Sequence, residues 1–122
     1  MSAILSMTDQ PFFLHTLPDD VLLLPISGKT LCIPMDSIIR IEASSNYSKV
    51  FCKGQSFPVV AAKVLKWFEE RLSQELFIRI HRSHLINKTY VVSVKNNNVR
   101  IEPGTEISIS RRKKKKLYAL PD

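Results

Sequence analysis

From Val21 onward the chain is broken into short apolar runs by turn signals, and this punctuation rules out a helical bundle before anything else is read. VLLLPI is followed by Ser27-Gly28-Lys29 and then TLCIP, a strand, a turn and a strand. IIRIEA alternates, with Ile39, Ile41 and Ala43 on one face and Arg40 and Glu42 on the other. KVFCK, Lys53-Gly54-Gln55 and SFPV read as a second hairpin. FIRIH sets Ile78 and Ile80 against Arg79 and His81. VVSVK, Asn96-Asn97-Asn98, VRIE, Pro103-Gly104-Thr105 and EISIS then read as a three-strand meander, with Val92, Val94, Val99, Ile101, Ile107 and Ile109 inward. Period-two alternation between Gly, Asn and Pro turns is the pattern of half-buried antiparallel strands.

One segment departs from that period. In VVAAKVLKWFEERLSQ, Val60, Ala61, Val64, Leu65, Trp67, Phe68 and Leu72 fall in one arc of a helical wheel. Lys63, Lys66, Glu69 and Glu70 lie opposite, and Lys66 and Glu70 form an i,i+4 pair. The spacing predicts an amphipathic helix whose aromatic pair belongs to the core. The end, SRRKKKKLYAL, predicts a short C-terminal helix held through Leu117 and Leu120. The fold class expected is therefore mainly β, with small antiparallel sheets, one helix in mid-chain and a short one at the end. At 122 residues there is material for one compact domain, placed at 19–122. Residues 1–18, with Pro11, Pro18 and no basic residue, read as an N-terminal arm. Its Phe12, Phe13 and Leu14 either dock on the domain or a partner, or fray.

Cys32 and Cys52 lie within apolar runs, which predicts buried, reduced thiols and a cytoplasmic setting. No stretch approaches the length of a membrane span, and no basic residue precedes Lys29, so the charged start of a signal peptide is missing. The expectation is a soluble domain with no membrane contact.

Charge points to a class of partner. The formal net charge is +7, but residues 1–41 carry −2 and residues 42–122 carry +9. A lopsided distribution suits one-sided contact with a polyanion, either nucleic acid or an anionic membrane surface. No acid occurs between Glu75 and Glu102, an interval that holds Arg79, Arg82, Lys88, Lys95, Arg100, His81 and His84. Phosphates opposite such a cluster would stabilise it and release counterions. Cations guarding a strand edge against aggregation explain it equally well on charge alone.

Signatures of catalysis are missing. The three glycines, Gly28, Gly54 and Gly104, each sit in a turn, so neither a phosphate-binding glycine loop nor a dinucleotide fingerprint can be assembled. There is no G-x-S-x-G and no Cys-x-x-Cys. His81 and His84 have ligand-like spacing, yet their neighbourhood offers no third ligand, and no metal or cofactor is expected. Two polar segments stand out instead. Ser44-Ser45-Asn46-Tyr47-Ser48-Lys49 lies between strands and is rich in groups that pair with base edges and phosphates. Read plainly, it is a hairpin loop. Ser110-Arg111-Arg112-Lys113-Lys114-Lys115-Lys116 carries six consecutive cations, a pattern shared by phosphate clamps, targeting signals and solvated tails.

Three segments in order, EASSNYSKV (42–50), FIRIHRSHLIN (77–87) and ISISRRKKKKL (107–117), resemble the LytTR DNA-binding domain of bacterial response regulators. The likeness runs over residues 20–120, with HRSHLIN as its most specific part. The resemblance implies an elongated β fold that reads DNA through loops in successive major grooves. It implies a first contact loop of Asn46, Tyr47, Ser48 and Lys49, and a middle contact from His81, Arg82 and Ser83. The last contact would come from Ser110, Arg111, Arg112 and Lys113. It further implies two protomers on paired direct repeats and bending of the duplex, which would make part of the specificity indirect. Family members carry a receiver domain ahead of this module. Here too few residues precede it, so the expectation is either a stand-alone module controlled by a partner, by its expression level or by the arm, or a fragment of a longer chain. The alternative is a protein-interaction module that regulates a sensor or another regulator without specific DNA readout. RNA binding has charge alone behind it, because the aromatic pair of a sheet-type RNA binder is not evident.

Overall fold

The computed structural model describes residues 20–109 together with the backbone of Leu5–Ser6. Eleven strands and one helix are described: β1 (Leu5–Ser6), β2 (Val21–Ile26), β3 (Lys29–Pro34), β4 (Ile38–Ser44), β5 (Tyr47–Cys52), β6 (Val59–Ala61), α1 (Leu65–Glu69), β7 (Phe77–His81), β8 (His84–Asn87), β9 (Val91–Lys95), β10 (Asn98–Ile101) and β11 (Thr105–Ser108). They form a five-stranded sheet of order β6-β5-β4-β8-β7 and two three-stranded sheets, β1-β3-β2 and β11-β10-β9. Every pairing is antiparallel. The expected fold class is what the chain adopts. Hairpins dominate because the turn residues allow tight reversals. Ile26 pairs with Lys29, leaving Ser27 (φ 46) and Gly28 (φ 80) to turn the chain through the left-handed region that favours Gly.

The five-stranded sheet has a core on each face. Adjacent residues of a strand point to opposite faces, so Leu85 and Ile86 on β8 separate two apolar clusters. Leu85 joins Leu22, Leu24, Ile33, Ile41, Val50, Leu65 and Phe68, which seat the β1-β3-β2 sheet and α1 on one side. Ile86 joins Ile78, Ile80, Val99, Ile101, Ile107 and Ile109 under the β9–β11 meander. Asn87 is fully buried at the end of β8, where its amide donates to the Ile38 carbonyl and its Oδ1 accepts from the Thr89 N–H. Both cysteines are free and buried, as expected, and burial pushes the Cys52 thiol up to about 11.

Three expectations are corrected. The alternation in β4 does not run straight through, because a bulge between Ile38 and Arg40 puts Ile38 and Ile41 in one core and Ile39 against the other. In β9, Ile101 pairs with Val91 while Arg100 pairs with Ser93, so Val92 is skipped and stands 59% exposed instead of facing inward. The helix is far shorter than its wheel. Val59, Val60 and Ala61 pair with Val50, Lys49 and Ser48 as β6, and Val64 is still extended where α1 begins. Pairing with an open sheet edge has overridden the helical period over β-branched residues. Val60 and Val64 are consequently 51% and 55% exposed, while Phe68 is fully buried. Trp67 packs edge-on against Phe68 and carries the Arg71 guanidinium over its outer face. Glu70 lies 3.8 Å from Arg71, and no ion pair with Lys66 forms among the described residues. The expected C-terminal helix falls outside those residues. No helix among them is long and apolar enough to cross a membrane.

Candidate nucleic-acid interface

Two of the three segments singled out in the sequence meet at one end of the five-stranded sheet. The polar stretch between β4 and β5 is tighter than a loop: Ser44 pairs with Tyr47, leaving Ser45 (φ 57) and Asn46 as a two-residue turn. His81 pairs with His84, leaving Arg82 and Ser83 as the turn between β7 and β8. The turns are neighbours because Glu42 pairs with His84 and the Ala43 N–H donates to the Ser83 carbonyl at 2.8 Å. β6 leaves the sheet at the same end, where Ala61 pairs with Ser48. Asn46, Tyr47 and Arg82 are exposed, and Lys49, His81 and Ser83 are half-buried. Ser48 does not belong to this surface. It has no exposed area, and its hydroxyl donates to the Lys63 carbonyl at 2.6 Å, fastening the chain after β6 to the strand that carries Tyr47 and Lys49.

A row of directly opposed residues crosses all five strands just behind the turns: Val60, Lys49, Glu42, His84 and His81. Paired residues of a sheet share a face, and this row shares the meander's face, since the next row along contains Phe51, Arg40, Ile86 and Ile78. The meander covers the apolar part of that face, and the polar row lies beyond it. Glu42 is the one acid in the row. The Arg40 guanidinium donates to it at 2.8 Å and holds its carboxyl below the usual carboxylate range, against the opposing effect of burial. The His81 Nδ1 accepts the Ser83 N–H at 3.1 Å, which leaves the Nε2 of the neutral ring as the donor. Burial depresses the His84 pKa, with the Glu42 charge partly restoring it, and its Nδ1 is sealed without a partner among the described residues.

These shifts fix a sign. A His84 pKa below 6.5 in the fold means that the unfolded chain takes up the proton first, so stability falls as pH drops below 6.5 until the folded ring also titrates. Glu42 adds a loss in the same direction at lower pH, since its contribution is present above 4.5 and disappears as pH falls through its depressed folded value. Urea midpoints measured against pH should therefore decline on the acid side of 6.5 in the wild type and decline less in His84→Gln. Parallel curves for the two proteins would exclude His84 as the source.

The acid-free interval does not remain unpaired in space. Arg79 is held by Glu69 of α1 at 2.7 Å, and its guanidinium also donates to the Arg82 carbonyl at 2.6 Å and the His81 carbonyl at 3.4 Å. It braces the β7–β8 turn from behind. Arg100 lies 3.4 Å from Glu106. Arg82, Lys88 and Lys95 have no acidic partner among the described residues, and Arg82 is both exposed and at the turn. Glu69 and the Ser48–Lys63 bond were not apparent from sequence, since each depends on a register that only the folded sheet supplies. The third segment, Ser110, Arg111, Arg112 and Lys113, lies outside the described residues. The chain approaches it from Ile109, which is buried under the meander and donates its N–H to the Asn97 carbonyl. Among the described residues no group of three His, Cys, Asp or Glu side chains could hold a metal ion.

The sequence model of one family, the LytTr DNA-binding domain, matches residues 28–121. Among solved structures the chain is similar to the LytTr DNA-binding domain of a methyl-accepting/DNA response regulator from Bacillus cereus. That likeness has a TM-score of 0.65 at 20% identity and covers 82% of this chain and 97% of the other. No curated protein matches the chain.

Proposed function

This chain belongs to the LytTR family of DNA-binding domains, which act in transcription regulation, and on that premise we propose that it reads specific double-stranded sites through the turns at one end of its central sheet. Arg82 and Asn46 reach base edges, Arg to guanine and Asn to adenine. Tyr47, Lys49 and the His81 Nε2–H hold phosphates and set the register. Ser83 fixes the turn through its backbone. Ser110, Arg111, Arg112 and Lys113 contact the next groove, and two protomers occupy a pair of direct repeats on a bent duplex. Ser48 acts in this reading as a clamp beneath the contact strand. The observation that carries the proposal is the adjacency of two exposed polar turns with Arg82 free of any acidic partner among the described residues.

In vitro selection from a random duplex pool, followed by anisotropy titrations on the enriched site, tests it. Arg82→Ala should cost about 1–3 kcal/mol on that site and relax discrimination at one base position. Lys115→Ala should weaken every duplex alike and reduce the salt slope by about 0.9. Equal affinity for enriched and scrambled duplexes would end the specific-readout proposal. A protein-interaction role has one observation in its favour: Phe57, Val60 and Val64, near the β6 edge, are 84%, 51% and 55% exposed. Retention of a protein partner after nuclease treatment, lost in Phe57→Ser, would favour that role instead.

A further inference from the structure

A cavity of about 380 Å³ opens between the central sheet and the meander, one residue row behind the proposed contact surface. Phe51 and Arg40 supply its floor, Lys53 and Tyr90 one side, and Glu102 and Pro103 the meander side. The volume lies in the range of small-molecule sites, and the aromatic and aliphatic walls favour a flat apolar body. The cations within reach are Arg40 and Lys53, the latter with its ammonium 5.9 Å from the centre of the Tyr90 ring. Glu102 is the single acid lining the cavity.

Arg40 is the feature that asks for a ligand. Its guanidinium rests on the Phe51 ring at 3.9 Å and its side chain is only 12% exposed. Among the described residues it donates one hydrogen bond, from Nη1 to Glu42, although the fork carries five donors. Among the described residues none of its other nitrogens has a partner or is sealed away, and Arg40 lines the cavity. A guanidinium this confined ordinarily satisfies more of its fork, and a carboxylate fills two parallel donors at once.

The geometry points to a binding site for a small aryl carboxylate, its carboxylate on Arg40 and Lys53 and its ring against Phe51 and Tyr90. Occupation also reaches the contact surface. A carboxylate on the unused donors of the Arg40 fork takes a share of the positive charge that now faces Glu42 alone, and Glu42 sits in the row between Lys49 and His84. With that share withdrawn, Glu42 presents more negative charge beside the cations proposed to hold phosphates, so ligand weakens DNA binding. This second step rests on the DNA-binding reading above. The first does not.

Binding is therefore measured without DNA, by calorimetry and amide chemical shifts, using 1-naphthoate, 1-naphthamide and inorganic phosphate on the full chain. Naphthoate is expected to bind with shifts at Phe51, Lys53 and Tyr90, the neutral amide about tenfold more weakly or worse, and phosphate not at all. Lys53→Ala, an exposed residue whose loss does not threaten the fold, should weaken naphthoate about threefold, and Arg40→Gln should abolish it. Equal binding of acid and amide, no binding at millimolar concentration, or shifts confined to another surface would overturn the site. Anisotropy on the selected duplex then reads the coupling. A lower DNA affinity with naphthoate in the wild type, unchanged in Arg40→Gln, supports it. An unchanged wild-type affinity at saturating naphthoate overturns the coupling while leaving the site intact.

Discussion

Arg79→Ala is expected to lower stability by about 2–3 kcal/mol and DNA affinity by about tenfold or more, although Arg79 itself faces away from the contact surface. The guanidinium makes three bonds, one to Glu69 on α1 and two to the β7–β8 turn, at the Arg82 carbonyl and the His81 carbonyl. Truncation leaves two carbonyls of the turn without their donor and Glu69 without its counter-charge. The figure is kept modest because the Arg79 and Glu69 side chains are 28% and 35% exposed, so water partly replaces what is lost. The affinity loss has a separate origin. In the proposed interface, Arg82 would reach a base edge only while its backbone is fixed, and a loosened turn would have to be ordered again at every binding event. Arg79→Lys should recover part of the stability and little of the affinity, because one ammonium cannot span three acceptors in a fixed fork. Urea midpoints and anisotropy on the same samples decide the matter. Wild-type affinity in a measurably destabilised Arg79→Ala would show that the brace serves folding alone.

Much of this fold was legible because period and punctuation are local properties. The strands around Ile41, Val50, Ile78, Leu85, Val99 and Ile107 follow from alternation between turn residues, and two of the three segments that the family resemblance named meet in space. What the sequence did not disclose depends on pairing. The bulges that displaced Ile39 and Val92 leave no local mark, since a skipped residue looks like any other until the partner strand is aligned. The strand at Val59–Ala61 was hidden under a helical wheel because apolar residues at 60, 61, 64 and 65 satisfy both readings, and only the open edge of β5 decides between them. The placement of the candidate residues was legible only in part. Asn46, Tyr47 and Arg82 stand exposed at two adjacent turns, whereas Ser48, alternating with its neighbours on β5, points into the core. The acid-free interval also misled in part, because charge balance along the chain says nothing about Glu69 reaching Arg79 from a different element.

Phe68→Ala is expected to have the largest effect on stability, about 3–5 kcal/mol, because its side chain is fully buried where α1 meets both β sheets on that face. A helix of five residues cannot persist through its own hydrogen bonds, since the first turn costs more than it returns. What holds Leu65–Glu69 is therefore the insertion of Leu65 and Phe68 between the sheets, with Trp67 closing over Phe68 at 5.0 Å and 80°. Removing the ring leaves a cavity that the surrounding Leu, Ile and Val side chains close only partly. The melting temperature should fall by at least ~10 °C. The long amphipathic helix of the wheel makes a competing forecast. In it Val64 is as deep in the core as Phe68, and Val64→Ser should be costly as well. In the observed fold Val64 precedes the helix and is 55% exposed, so Val64→Ser should change stability by no more than about 0.5 kcal/mol. Comparable losses from Val64→Ser and Phe68→Ala in denaturant titrations would restore the longer helix and remove β6 from the sheet. That would also take away the strand that pairs with Lys49 beside the two turns, so the stability measurement bears directly on how the proposed DNA-binding surface is built.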